Sequence, residues 1–122
     1  MIVLALASAA AVAASSPNNE EMMHRTQKMY RECVLNAAIR MEKSDESAFV
    51  IADASIGSCG GLRATAQVMS ALWLNDQYHP AEYRTAQKAA ESALKTSDAE
   101  LKQEAIAAVL IRRADRAKLC SK

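Results

Sequence analysis

Cys33 and Cys59 constrain this chain more than any other pair of residues. Each lies part-way along a helical pattern, and the two patterns meet at the polar turn Lys43-Ser44-Asp45-Glu46. With the turn centred near Asp45, a helical rise of about 1.5 Å per residue puts the two sulfurs roughly 18 and 21 Å from it. They can therefore face one another across a helical hairpin. Three cysteines allow three single pairings, and the hairpin geometry favours Cys33 with Cys59, leaving Cys120 as the odd thiol. A disulfide contributes typically about 2–4 kcal/mol to a small domain and persists in oxidising compartments.

The apolar positions repeat at three and four residues throughout. In the first segment, from about Glu20 to Lys43, Met23, Tyr30, Cys33, Val34, Ala37 and Met41 share a face. Acids Glu20 and Glu21 favour its positive N-terminal end. Ser44 or Asp45 can cap a second helix, whose stripe is Phe49, Ala52, Ile56, Cys59, Leu62, Ala66, Met69 and Trp73. All three glycines, Gly57, Gly60 and Gly61, surround Cys59. Each costs a helix interior about 1 kcal/mol relative to alanine, so a kink or break is expected there. Close approach of the first helix, within the ~7 Å between Cα atoms that a disulfide needs, is the expected gain.

Leu74 to His79 reads as a loop, and Pro80 with Glu82 as the start of a third helix, Pro80 to Lys95, with a weak face of Tyr83, Ala86, Ala90, Ala93 and Leu94. Ser97-x-x-Glu100 is a capping box that would open a fourth helix running to about Leu119. Its stripe is Leu101, Ala105, Ile106, Val109, Leu110, Ala114 and Ala117. No stretch alternates with the period of a strand. The expected class is all-α: a small antiparallel bundle of about four helices, thinly packed with alanine, whose N-terminal hairpin is stapled by the disulfide.

Residues 1–14 carry no charged side chain and end in small residues that fit a signal-peptide cleavage site after Ala13 or Ala14. The apolar run is short of the ~20 helical residues that span a membrane, so no transmembrane anchor is expected once the leader is cleaved. Residues 15–122 are long enough for one domain with a modest core. A net charge of +1 offers no electrostatic case for nucleic acid. The distribution is uneven: residues 15–78 hold six cations against eight acids, and residues 79–122 nine against six. Arg112, Arg113, Arg116, Lys118 and Lys122 supply most of that excess, as a solvated helix end or, over Ile111 to Leu119, as a basic amphipathic surface for an acidic partner or anionic lipid.

Chemistry is poorly represented. Gly57-Ser58-Cys59-Gly60-Gly61 places a cysteine among glycines, with His79 as an imaginable base, but the stretch lacks the flanking residues of a papain-type nucleophile. Met22, Met23, His24 and Met29 have the soft composition that suits Cu(I), although methionine at helical spacing is usually core. His-Glu-x-x-His, Cys-x-x-Cys-His, phosphate loops and dinucleotide fingerprints do not occur. Pairs such as Glu20-Glu21 and Asp45-Glu46 sit where helix capping explains them. The sequence thus points to a non-catalytic, cofactor-free exported protein, periplasmic or secreted, that acts on a protein or envelope partner. Cys120 offers a covalent dimer. The alternative is a carrier of a small ligand or of copper, using the bundle interior or the N-terminal methionines.

Overall fold

A computed structural model describes residues 18–120, which form four helices: α1 Asn19–Met41, α2 Ala48–Ser58, α3 Gly60–Tyr78 and α4 Tyr83–Cys120. The leader expected over residues 1–14 lies outside the described residues. Each early boundary has a local cause. Asn18 caps α1 by accepting from the Glu21 amide at 2.8 Å, and Ser47 caps α2 by accepting from the Val50 amide at 3.2 Å. His79 closes α3 in the left-handed conformation, φ 43°, with its amide donating to the Asn75 carbonyl. Pro80 follows and cannot extend that helix.

The helices of the described residues number four, as the sequence pattern predicts, but they divide the chain differently. The stretch at Cys59 breaks: Cys59 ends α2 and begins α3, with φ −104° and ψ 21°. Three further expectations are corrected. Leu74 to Tyr78 is helical rather than a loop, the next helix starts at Tyr83 rather than Pro80, and the third and fourth predicted helices are one rod of 38 residues. Ser97 and Glu100 sit inside that rod and cap nothing. A capping box is worth about 1 kcal/mol. Breaking the helix there would interrupt a buried stripe, Ala86, Ala90, Leu94, Leu101, Ala105 and Val109, that continues through it.

Cross-links between helices define the topology. As α1 advances through Asn19, Gln27 and Cys33, its partners fall back through Asp76, Ser70 and Cys59, so the α2–α3 rod runs antiparallel to α1. As α1 advances from Tyr30 to Glu42, its partners advance from Asp98 to Arg116, so α4 lies parallel to α1. The result is three rods, up, down and up, with the middle one broken at Cys59. The staple is present: Cys33 and Cys59 form a disulfide with Cα atoms 6.1 Å apart, across 26 positions of sequence.

The core is as thin as the composition predicts. Ile51, Val34 and Val109 are its largest fully buried apolar side chains, and alanines such as Ala38, Ala52, Ala66, Ala90 and Ala105 fill most of the rest. Two buried hydroxyls are satisfied locally, Ser55 donating to the Ile51 carbonyl at 2.7 Å and Thr26 to those of Met22 and Met23.

The glycines do not serve close approach. A Cβ built on Gly57, Gly60 or Gly61 would meet nothing within 4 Å, and none has a positive φ. Their effect is to weaken the helix around Cys59, where the rod bends to bring the half-cystine inward. Gly57→Ala should therefore stabilise the protein by roughly 0.5–1 kcal/mol, measured as a higher midpoint of urea unfolding at constant slope.

Candidate functional site

Four regions hold the polar and exposed groups from which a site could be built. The first is the C-terminal third of α4. Arg113 turns inward and acts as a clasp on the α1–α2 turn: its Nε donates to the Glu42 carbonyl at 3.0 Å, and one terminal nitrogen donates to those of Ser44 and Glu46 at 2.9 and 2.7 Å. These carbonyls lie past the end of α1, where no helical amide is available to them. Arg116 donates to Oε1 of Glu42 at 3.4 Å and stands 3.2 Å from Oε2. The Glu42 side chain is almost wholly buried, so this partner offsets a large desolvation cost. Of the four cations singled out in the sequence, Arg113 and Arg116 thus hold the α1–α2 turn, and the side chains of Arg112 and Lys118 are exposed on the same helix. The sequence offers no sign of this division, since a wheel drawn on α4 alone does not show where the α1–α2 turn will lie.

Exposed apolar side chains also occur at separate positions around this segment. Val109 is the last buried residue of α4, and beyond it Leu110, Ile111 and Leu119 are 53%, 62% and 75% exposed. Cys120 ends the helix as a free, exposed thiol.

The second region is a polar junction that joins three helices. The Tyr30 hydroxyl donates to Oδ1 of Asp98 at 2.7 Å, and Nε of Arg63 donates to Oδ2 at 2.7 Å. Burial, then the hydrogen bond and charge of Asp98, push the Tyr30 phenol above its ordinary value. The hydrogen bond to Asp98 likewise raises the Arg63 guanidinium, which strengthens its hold on its proton. All three groups are mutually satisfied, the arrangement of a structural tie rather than a proton-transfer site.

The third region is the N-terminal methionines. Met23 is buried in the core, Met22 is half-buried and Met29 is exposed. Cys33, which shares a helical face with Met29, is committed to the disulfide. No group of three or more His, Cys, Asp or Glu residues able to hold a metal occurs among the described residues. The sulfur of Cys59 is bonded to Cys33, so the imagined thiol is consumed by the staple, while His79 closes α3 through its backbone amide.

The fourth region is a groove of about 320 Å³ between α1 and α4, lined by charged side chains from both helices over an apolar floor. The sequence does not disclose it, because its two walls lie some seventy positions apart, as the Arg31–Glu104 pair shows.

No protein family, curated protein or solved structure matches this chain. None of its described helices is long and apolar enough to cross a membrane.

Two substitutions separate these roles. Arg113→Lys keeps the charge but not the three-way fork, and should lower stability by about 2 kcal/mol. Arg112→Lys should change it by less than about 0.5 kcal/mol in the same urea titration. Tyr30→Phe tests the junction through pH. The folded protein holds the phenol proton more tightly than the unfolded chain, so this stabilisation is intact below the ordinary phenol value of about 10 and declines as pH rises past it. Unfolding free energies at pH 7 and pH 10.5 should fall less in Tyr30→Phe than in the parent.

Proposed function

We propose that this is a small exported helical protein that carries out no chemistry and acts through its surface on a protein of the cell envelope. The observation that carries this reading is the end of α4. Past Val109 the side chains of Arg113 and Arg116 secure the fold, while Leu110, Ile111, Leu119 and the Cys120 thiol stay exposed. Solvent-exposed apolar groups ending in an accessible thiol fit a contact surface better than a reaction centre.

The exported location rests on two supports: the leader-like composition of residues 1–14 and an internal disulfide, which lasts in an oxidising compartment. In such a compartment an odd cysteine tends to pair between chains, so a covalent dimer through Cys120 belongs to the same reading. The copper-carrier alternative draws no comparable support, because Met23 and Cys33 are both used by the fold.

The test places a photo-crosslinking residue at Ile111 and, as a control, at exposed Ser92, in the full chain expressed with its leader. Irradiation should give a discrete adduct, to an envelope protein or to a second copy, at position 111 and not at 92. Non-reducing gels should show a dimer that is lost in Cys120→Ser. A chain retained in the cytosol with its N terminus intact, or one that crosslinks at neither position, would overturn the proposal.

A further inference from the structure

The groove between α1 and α4 has walls of opposite charge. Its floor is apolar, made by Leu94, Leu101 and the ring of Tyr30, whose hydroxyl is occupied by Asp98. Arg31 and Glu104 bridge the two walls at 2.7 Å. Because α1 and α4 run parallel, one turn back from that pair brings Lys28 and Glu100 to a common level on opposite sides. Both line the groove, yet they do not pair across it. Lys28 reaches Glu32 on its own helix at 3.9 Å, with both side chains largely exposed, and Glu100 has no cationic partner among the described residues.

This arrangement restricts what can bind. A ligand with one charge would be attracted by one wall and repelled by the other. A ligand with both charges on a single carbon would leave the apolar floor of Tyr30, Leu94 and Leu101 uncovered. We propose that the groove binds a small zwitterion whose carboxylate and ammonium lie at opposite ends of an apolar chain. Its carboxylate faces Lys28, its ammonium faces Glu100, and its methylenes lie on Tyr30, Leu94 and Leu101. A volume of 320 Å³ is at the small end of ligand pockets and suits a molecule of that kind. Polar groups fix its orientation, and the floor contributes the apolar contact. This site is distinct from the end of α4, so either can fail without the other.

The probe is 6-aminohexanoate, added to the full mature chain and followed by amide chemical shifts. Saturable shifts should centre on Lys28, Tyr30 and Glu100. Hexanoate and hexylamine, which each carry one of the two charges, should bind at least about ten-fold more weakly, a difference of about 1.4 kcal/mol. Lys28→Glu and Glu100→Lys should each weaken binding by at least ten-fold, and the double exchange Lys28→Glu/Glu100→Lys should restore it with the ligand reversed. That recovery cannot come from a variant that fails to fold. Absence of saturable shifts, equal binding of hexanoate, or no recovery in the double exchange would overturn the assignment.

Discussion

An alanine-rich core is the constraint on which the rest of this structure depends. Alanine lets helices approach closely but buries little apolar area per residue, and side chains this small do little to fix one helix's register against another. The chain compensates with ties at successive levels along the rods. Asn19 and Asp76 join α1 to α3 near one end, and Tyr30, Asp98 and Arg63 join three helices near the middle. The Cys33–Cys59 bond follows, and Arg113 and Arg116 hold the α1–α2 turn at the far end. By the loop-entropy relation, closing a 26-position loop stabilises by about 3–4 kcal/mol, a large share of what a domain of this size possesses.

The same economy shapes the surface. Cations that look free on a helical wheel are drawn into the ties, so the basic character of the C-terminal end is smaller than the sequence implies. Arg112 and Lys118 stay outside together with the apolar Leu110, Ile111 and Leu119 and the Cys120 thiol. Within this one segment Arg113 and Arg116 serve stability, and the exposed positions are the ones on which the proposed contact rests.

The groove between α1 and α4 has a similar origin. Two parallel rods with long charged side chains at their margins and an apolar floor of Tyr30, Leu94 and Leu101 between them leave a channel, closed where Arg31 reaches Glu104 and open where Lys28 and Glu100 do not meet. Neither residue is distinctive alone. Their relation depends on α4 being one parallel rod, which fixes Glu100 four residues from Glu104 on the same face.

The sequence by itself determined the helical class, the approximate extent of α1, the start of α2, a kink or break near Cys59 and the pairing of Cys33 with Cys59. Each follows from local periodicity, capping residues and helical rise, which act over a few turns and need no knowledge of distant partners. Only the tertiary structure decided that Lys95 to Glu100 is helix interior. A capping box and a continuous buried stripe compete there, and the stripe prevails because the α2–α3 rod opposite supplies a surface for Leu94 and Leu101 to cover. That outcome turns a four-helix expectation into three rods. It also aligns α4 parallel to α1, sends Arg113 and Arg116 to the α1–α2 turn and brings Lys28 opposite Glu100. These relations join residues about seventy positions apart, beyond the reach of any local pattern.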